Sequence, residues 1–381
     1  MDLKEYRSQI DDIDQQLVQL FQQRMEVSKG IAEYKKEHGL PILDPGRERE
    51  KLQKLSAGME PDMQNYTSVL YSSLFELSRS YQSQQMSRYT ELSNKITDAI
   101  ENTPRQFPKN VTVGVCGVEG AYSQIACERI IKNPLIMYFN SFEGVFSAVE
   151  NGLCQYGIVP IENSTAGSVK KVYDLMIRKN FSIIRSVRLK VDHNLLAKHG
   201  TKLEDVKEIF SHEQAISQCS EFLKTLGKDV KITAVENTAM AAEMVAKSSR
   251  TDVAALCSRN CMELYSLDCL RRNVQDQQSN FTRFICISKN LEIYPGANRT
   301  SIMLATAHKP GALYRILARF YALGINITKL ESRPIPDRDF EFMFYFDLET
   351  SVYDREFIQI ICELSANTED FTYLGSYSEV V

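Results

Sequence analysis

The chain has 381 residues and a formal net charge of −4 at pH 7, with 43% hydrophobic and 25% charged residues. This length exceeds one ordinary hydrophobic core, so we expect two or three domains, and the composition excludes extensive disorder. The negative charge argues against a nucleic-acid partner.

Cysteine usage and hydropathy indicate the compartment. The nine cysteines are scattered without a CxxC pair, and only five histidines are present to complement the nearest two, Cys257 and Cys261, so no metal site is predicted. The cysteines are therefore expected to be structural thiols of a protein in a reducing compartment. The N-terminal stretch is charged, and no later run is long and apolar enough to span a bilayer. We therefore expect a soluble cytoplasmic protein.

The first predicted element is one long helix. Apolar residues recur at heptad spacing and predict a helix over residues 3–37. Arg24 interrupts the apolar seam, and a buried, unpaired guanidinium is costly, so it needs an anionic partner. Besides a ligand, the nearby carboxylates of Asp14 and Glu26 are candidates. Lys35 returns to the same face about 16 Å along the axis, so Arg24 and Lys35 can converge on a small ligand.

A second arginine on this helix points to an assembly. Arg7 lies seventeen residues before Arg24, or about 25 Å of helix, which is too far for both to bind one small ligand. If both arginines touch substrate, a second copy of the helix must run antiparallel, and each site takes one arginine from each chain. The spacing therefore predicts a homodimer.

Two further helical segments carry candidate polar residues. Asp44 and Pro45 are a predicted N-cap and first helical position, and a third segment is predicted over residues 61–100. Taken singly, their polar side chains are ordinary surface residues. The candidates are Asp44, Arg47 and Glu48 in the second helix and Ser78 and Gln82, four residues apart, in the third.

As a set, these residues resemble the all-helical chorismate mutase domain over about residues 1–90. The resemblance implies three helices in a dimer, with Arg24, and Arg7 of the partner subunit, holding the two substrate carboxylates. Ser78 and Arg47 would support carboxylate binding. The matching residues, in the family's order and spacing, are Arg7, Arg24, Lys35, Asp44, Arg47, Glu48, Ser78 and Gln82.

The reaction of that family is the Claisen rearrangement of chorismate to prephenate. The resemblance implies that Lys35 and Gln82 bond the ether oxygen, while Glu48 and Asp44 orient the ring hydroxyl. Such a rearrangement needs no nucleophile and no proton transfer. Catalysis then consists of confining a reactive conformer and placing positive charge beside the oxygen of the breaking bond.

A linker and an α/β region come next. Residues 101–110 contain two prolines and read as a linker. The glycine-bearing turn at 117–123 matches neither GxGxxG nor a Walker loop, so no nucleotide cofactor is predicted. Alternating strands and helices indicate two α/β lobes with a polar cleft between them. Strands are predicted over 111–115, 136–139, 156–161, 181–189, 253–258 and 285–288, with helices from about 124 and over 142–151, 211–223 and 236–245.

The strand at 156–161 ends in a polar turn. Apolar residues at spacings of three and four predict a helix directly after it, with Ser164 or Thr165 as the N-cap. A helix N-terminus facing a cleft suits a carboxylate ligand. The alternative is an ordinary capped helix.

Residues 110–290 resemble prephenate dehydratase, through IVPIENS at 158–164, SHEQAISQC at 211–219, ENTAMAA at 236–242 and NFTRF at 280–284. The resemblance implies a two-lobed, periplasmic-binding-like α/β fold. It also implies that Thr282 donates a proton to the departing ring hydroxyl as CO₂ leaves, and that Arg283 clamps a carboxylate.

Further positions match the polar residues of the dehydratase site. Two departures from the family are Glu119 and Glu213, which replace prolines. The remaining implied site residues are Ser123, Glu162, Asn163, Ser164, Thr165, Gln218 and Glu236.

The C-terminal part follows a second linker at 294–298. Strands at 301–306, 325–333 and 340–348, helices at about 308–324 and 352–366, and a final strand predict a βαββαβ, ferredoxin-like unit. The third of these strands alternates phenylalanines on one face, namely Phe340, Phe342, Phe344 and Phe346.

This part resembles the amino-acid-binding ACT domain, through PGAL at 310–313 and ESRP at 331–334. The resemblance implies phenylalanine binding between two such domains, where Gly311 lets the ligand approach the backbone. Tyr314 departs from the valine usual in the family. The alternative is a module that only forms dimers. The implied site residues are Gly311, Ala312, Leu313, Asn326, Glu331, Ser332 and Arg333.

Together the three parts resemble bifunctional chorismate mutase/prephenate dehydratases, or P-proteins, with domains over 1–100, 110–290 and 298–381. The resemblance implies an enzyme of phenylalanine biosynthesis that needs no cofactor and is inhibited by phenylalanine. One alternative is a two-lobed binding protein without turnover. The other is a dehydratase that prefers arogenate, the aminated analogue of prephenate.

Overall fold

The computed structural model describes residues 2–86, 91–306, 308–336, 338, 341–368 and 370–380. The chain divides into one unit of residues 1–94 with 359–367 and a second unit of residues 95–358 with 368–381. Within the described residues, each helix is too short or too polar to cross a bilayer.

The first unit is built from long helices. Helix α1 (Leu3–Glu37) matches the predicted span and begins with a capping box, in which Asp2 and Glu5 each accept from the other's backbone N–H. Helix α2 (Pro45–Ala57) begins at the predicted N-cap, Asp44, and packs with α1 against α3 (Gln64–Met86). The predicted single helix over 61–100 is instead α3 and a separate α4 (Glu91–Asn102); residues 87–90 lie outside the described part of the chain.

Helix α1 leaves its apolar seam uncovered within this chain. Only Ser28 and Ala32 are buried among its 35 residues. Leu3, Ile10 and Leu20 are 66%, 56% and 60% exposed. A heptad seam of this length is typical of a helix that packs against another helix along its whole length.

The second unit contains a sheet of ten strands with the order β13-β14-β12-β15-β5-β11-β3-β1-β2, in which the short β4 pairs with β3. These strands are β1 (Thr112–Cys116), β2 (Leu135–Phe139), β3 (Tyr156–Asn163), β4 (Gly167–Ser168), β5 (Ser182–Lys190), β11 (Phe281–Ser288), β12 (Arg299–Ala305), β13 (Asn326–Pro334), β14 (Phe342–Glu349) and β15 (Phe371–Val380).

A second sheet of five strands forms the other lobe, in the order β10-β6-β9-β7-β8. Its strands are β6 (Asn194–Ala197), β7 (Glu208–Ser211), β8 (Lys231–Ala234), β9 (Val253–Cys257) and β10 (Asp268–Arg271). The helices of the two lobes are α5 (Tyr122–Ile130), α6 (Phe142–Glu150), α7 (Lys170–Arg178), α8 (Glu213–Gln218), α9 (Ser220–Thr225), α10 (Thr238–Lys247) and α11 (Asn260–Leu264). The predicted two-lobed α/β arrangement is thus present, with most boundaries within two residues of those expected.

Helices cover both faces of the large sheet in the first lobe. On β11, Ile285 and Ile287 belong to a buried cluster with residues of α6 and α7, whereas Phe284 and Cys286 belong to a cluster with residues of α5. This separation follows from the period of two along a strand. Consecutive residues of β11 therefore serve opposite sides of the sheet.

The C-terminal segment has the predicted βαββαβ order, with α12 (Ala312–Ala322) and α13 (Arg355–Asn367) between its strands. Phe342, Phe344 and Phe346 lie on β14 as expected, and Phe340 lies outside the described residues. Strand β15 pairs with β12 on one side and with β5, three residues in parallel, on the other. The ten-stranded sheet thus runs unbroken from the first lobe into the C-terminal segment.

Candidate functional site

Arg24 faces the interior of the helical unit. Its Nη1 donates to the carbonyl of Leu74 at 3.0 Å and to Oγ of Ser78, and its guanidinium lies over the ring of Phe75. Among the described residues no carboxylate lies within ion-pair distance of Arg24, so the suggested pairing with Asp14 or Glu26 is wrong. Burial lowers the pKa of Arg24, against opposing effects of Tyr71 and Glu48. The half-buried cation is held by neutral groups and can accept an anionic ligand.

Other predicted mutase residues lie at the start of α2 and on α3. Lys35 donates from Nζ to the carbonyl of Ile42 at 2.6 Å. Asp44 caps α2 through the backbone N–H of Arg47 at 3.1 Å, so its carboxylate has a structural role as well.

Glu48 and Gln82 have contrasting surroundings. Both carboxylate oxygens of Glu48 accept from Arg79, one of them at 2.6 Å, and sequence reasoning missed this arginine beside Ser78. Gln82 is buried, and its Oε1 has no hydrogen-bond partner among the described residues. A buried amide without a full set of partners is suited to binding a polar ligand.

Arg7 is exposed on α1, two turns from the chain's start, and the structure does not bring it to Arg24.

The two lobes of the second unit enclose a cavity of about 550 Å³. Five of the predicted dehydratase residues line it, together with several that were not predicted, including His193, His212 and Asn237. The predicted lining residues are Ser123, Asn163, Gln218, Glu236 and Thr282. Glu119 and Glu213, the two departures from the family, do not line the cavity.

The turn after β3 differs from the prediction. Strand β3 continues to Asn163 and forms a tight hairpin with β4, in which Asn163 pairs with Gly167. Gly167 has φ of +80°, a conformation that glycine adopts without strain. Helix α7 begins only at Lys170, and its N-cap, Val169, makes no side-chain cap bond. The prediction of Ser164 or Thr165 as the N-cap is therefore wrong, and the helix dipole does not act at this turn.

At this turn, Asn163 accepts the hydrogen bonds that a helix N-cap would have accepted. Its Oδ1 accepts from the backbone N–H groups of Thr165 at 3.0 Å and Ala166 at 2.9 Å, and from the hydroxyl of Thr165 at 2.7 Å. Because backbone N–H groups can only donate, they fix the orientation of the amide. The Nδ2 group must then point toward β11, where it donates to Oγ1 of Thr282 at 2.9 Å.

This contact leaves the hydroxyl of Thr282 able to donate a hydrogen bond. Since Oγ1 of Thr282 already accepts from Asn163, the proton of its hydroxyl is free to point into the cavity. A hydrogen bond to the hydroxyl oxygen also stabilises the negative charge that develops when the proton leaves. The geometry therefore suits a weak acid that protonates a leaving group.

Gln218 connects the second lobe to this pair. Its Nε2 donates to Oγ1 of Thr165 at 2.7 Å, and its Oε1 accepts from Nδ2 of Asn280 at 2.9 Å. The ring of His193, only 3% exposed, lies 2.9 Å from the same Oε1, so Nε2 of His193 carries the proton. Burial lowers the pKa of His193, which keeps the ring neutral near pH 7. The sequence shows His193 only as an isolated histidine before a buried strand, so its role was missed.

Four predicted dehydratase residues do not line the cavity, namely Glu162, Ser164, Arg283 and Thr165, whose hydroxyl donates to Asn163. The hydroxyl of Ser164 donates to the carbonyl of Ser279 and accepts from the N–H of Phe281, both at 2.9 Å. Arg283 follows Thr282 on β11 and therefore lies on the other face of the sheet, 3% exposed and paired with Asp347. Glu162 lies on that same side, 3.5 Å from Arg283. The structure thus gives no support to Arg283 as a carboxylate clamp, because its charge is already paired.

The predicted phenylalanine-binding residues fall into two groups. Gly311, Ala312 and Leu313 line a second cavity of about 300 Å³ with Tyr314 and Phe342 among its other walls. The φ of +77° at Gly311 is one that glycine adopts freely.

The other group lies on β13, outside this cavity. Asn326 donates to Glu349 at 2.9 Å, and Ser332 is exposed. Glu331 accepts from Ser168 at 2.6 Å, and Arg333 bonds both carboxylate oxygens of Asp174.

Two protein families match separate parts of the chain. Residues 113–292 match the family model of prephenate dehydratase, and residues 6–83 match that of chorismate mutase type II. The chain is 31% identical over 381 residues to the bifunctional chorismate mutase/prephenate dehydratase of Aquifex aeolicus (strain VF5), covering 100% of this chain and 99% of that protein. It is 36% identical over 297 residues to arogenate dehydratase/prephenate dehydratase 2, chloroplastic, of Arabidopsis thaliana, covering 75% and 76% of the two chains.

A solved structure has a similar fold. The prephenate dehydratase of Arthrobacter aurescens in complex with L-Phe has a TM-score of 0.64 and 25% sequence identity, and the match covers 70% of this chain and 90% of that one. Both family models match in the order expected, and one bifunctional relative matches from end to end. The chain therefore belongs to the bifunctional chorismate mutase/prephenate dehydratase family.

Proposed function

We propose that the two reactions of this bifunctional enzyme take place in separate sites, one in the helical unit and one in the cavity between the two α/β lobes. The first rearranges chorismate to prephenate, and the second converts prephenate to phenylpyruvate, CO₂ and water. The observation that carries the second assignment is the hydrogen bond from Asn163 to Thr282 on the cavity wall.

In the helical site, Arg24 binds a substrate carboxylate. Its half-buried guanidinium lies beside Ser78 without a carboxylate partner among the described residues, so an anionic substrate supplies the missing charge. Lys35 and Gln82 bond the ether oxygen, Asp44 and Glu48 orient the ring hydroxyl, and Arg47 and Ser78 support the carboxylates, as the family resemblance implies.

The helical site is completed by a second copy of the chain. The uncovered seam of α1 supports an antiparallel homodimer, since most of its leucines and isoleucines, from Leu3 to Leu20, are more than half exposed in one chain. In that dimer Arg7 reaches the site built around Arg24 of the partner subunit.

In the dehydratase site, Thr282 protonates the ring hydroxyl that leaves as water. The electrons released as CO₂ departs form the aromatic ring, so no external base is needed. Asn163, Thr165 and Gln218 hold this donor through one hydrogen-bonded network, and Ser123 and Glu236 contribute polar groups to the cavity wall. The scattered cysteines, with no CxxC pair, support a cytoplasmic enzyme, and the chemistry uses no cofactor.

Prephenate is the expected substrate, because the helical site of the same chain supplies it. We expect kcat/KM for prephenate to exceed that for arogenate by at least about tenfold, the lower end of the discrimination that a single small group provides. Parallel assays with the two purified substrates measure this ratio. A time course from chorismate alone is the companion experiment, with prephenate rising first and phenylpyruvate following. A larger kcat/KM for arogenate would instead assign the cavity to the aminated analogue, for which Glu236 offers a carboxylate.

The C-terminal domain, residues 298–381, is a ferredoxin-like ACT domain that binds phenylalanine and inhibits the dehydratase. The strand order β13-β14-β12-β15 and the cavity at Gly311 support this assignment, and the similar Arthrobacter protein was solved with L-Phe. The other two domains span 1–100 and 110–290. Inhibition requires that phenylalanine bind a low-activity arrangement more tightly than the active one.

Saturating phenylalanine should reduce dehydratase activity by roughly 5- to 150-fold, the range of typical coupling energies. Initial rates of phenylpyruvate formation with and without phenylalanine measure this effect. Gly311→Val is the matched variant, because a β-branched residue is strained at φ of +77°, and it should weaken the response. If phenylalanine leaves the wild-type rate unchanged, the C-terminal domain serves only for assembly.

A further inference from the structure

The residue next to the proposed proton donor carries a buried charge pair. Arg283 directly follows Thr282 on β11, and its side chain is 3% exposed; Asp347, on β14, is 1% exposed. Nη2 of Arg283 donates to Oδ2 of Asp347. Two buried charges are stable only if their geometry is good and their remaining polar atoms are satisfied.

The surroundings satisfy the carboxylate. Its Oδ1 accepts from the hydroxyls of Ser301, Tyr345 at 2.5 Å and Tyr377 at 3.4 Å. Burial and the charge of Asp347 raise the pKa of Tyr345 and of Tyr377, so these hydroxyls remain neutral donors. Three donors from the C-terminal domain and one cation from the catalytic strand thus converge on one carboxylate.

A second set of contacts holds the neighbouring hairpin. Nζ of Lys329 lies 3.1 Å from Glu162 and donates to Ser168 at 2.8 Å, and Ser168 also donates to Glu331 at 2.6 Å. Glu162 directly precedes Asn163 on β3, and Ser168 pairs with Glu162 across the β3–β4 hairpin. Ser168 also lines the cavity. Both strands that present the Asn163–Thr282 pair are therefore bonded to strands β13 and β14.

We propose that Asp347 and Arg283 are positioning residues for the dehydratase reaction, and that the C-terminal domain completes this active site by fixing β11. This inference rests on the proposed role of Thr282 as proton donor. Arg283 acts through the backbone of β11 and touches no substrate, because Thr282 and Arg283 face opposite sides of the sheet. Losing Arg283 leaves the buried carboxylate of Asp347 without a cation, and losing Asp347 leaves Arg283 with only the longer contact to Glu162 at 3.5 Å. Either loss shifts β11 and with it the hydroxyl of Thr282.

A double-mutant cycle tests the proposal with Arg283→Gln, Asp347→Asn and the double variant, all in the full chain. Each single variant should lower kcat of the dehydratase by at least about tenfold with little change in KM. The double variant should recover at least about threefold over the worse single variant, because no charge remains unpaired. Mutase activity of the same preparations reports whether the chain is folded. Glu341→Gln, which removes a half-exposed carboxylate just before β14, should leave both activities unchanged.

Two other outcomes overturn the proposal. If Arg283→Gln raises KM for prephenate and Asp347→Asn restores nothing, Arg283 binds the substrate carboxylate directly. If both single variants keep the wild-type kcat, the pair is only structural. Arg283→Gln decides the question even if Asp347→Asn fails to fold, since Asp347 keeps three hydroxyl donors in that variant. The Thr282→Ala variant separates a failure of this inference from a failure of the proposed function, because an active Thr282→Ala enzyme would refute Thr282 as the proton donor.

Discussion

Replacing Thr282 by alanine should reduce phenylpyruvate formation by about 10²- to 10⁴-fold, the usual contribution of a positioned proton donor, and leave prephenate formation from chorismate intact. The hydroxyl of Thr282 lines the cavity and accepts from Asn163 at 2.9 Å, so its own proton is free for the substrate. Assays that follow chorismate loss, prephenate and phenylpyruvate in one sample measure both activities. Prephenate should accumulate in the variant.

Two variants sharpen this experiment. Thr282→Ser keeps the hydroxyl and should retain much more activity than Thr282→Ala. Asn163→Ala removes the bond to Thr282 and the three bonds that shape the hairpin turn, so it should also lower kcat. Loss of both the mutase and the dehydratase activities in Thr282→Ala would contradict separate sites.

Arg24→Ala and Arg7→Ala should each abolish most mutase activity, but a mixture of the two proteins should regain part of it. In an antiparallel dimer each site combines Arg24 of one chain with Arg7 of the other. A mixed dimer then holds one intact site and one site that lacks both arginines. With random exchange of equal amounts, half of the dimers are mixed, so activity should reach about one quarter of the wild-type value.

The same mixture has a clear control. Lys29 is exposed on α1 between the two arginines and the end of the helix, and Lys29→Ala should retain full mutase activity. Dehydratase activity of the arginine variants should be unchanged throughout, which verifies that the chains are folded. A mixture with no more activity than its two components would rule out the shared site.

Local patterns predicted most of the secondary structure but not the turn after β3. The heptad seam gave the correct span of α1, and the N-cap at Asp44 gave the correct start of α2. At residues 164–165, good capping side chains suggested a helix start. Gly167, with a positive φ, instead allows the hairpin with β4, and Asn163 supplies the bonds that a cap would have made.

The structure brings together those predicted site residues that lie on adjacent strands, whereas the contacts made by distant residues were not predicted. Thr282 and Asn163 came from motifs that lie on adjacent strands, so the sequence alone brought them together. The partner of Arg283 lies 64 residues away on β14, and a single sequence offers no signal for that pairing. Strand alternation places consecutive residues such as Thr282 and Arg283 on opposite faces, and this unused signal could have argued against the clamp.

The pairing of β15 with both β12 and β5 restricts how the C-terminal domain can move. Residues 378–380 form a parallel ladder with residues 185–187, so a free hinge at the 294–298 linker would have to break those backbone bonds. An inhibitory signal must therefore travel as a change of twist or a small slide between adjoining strands, rather than as a swing of one body away from another. A shift of about 1 Å would suffice, because a misplacement of that size at a reacting group can cost about 10²-fold in rate.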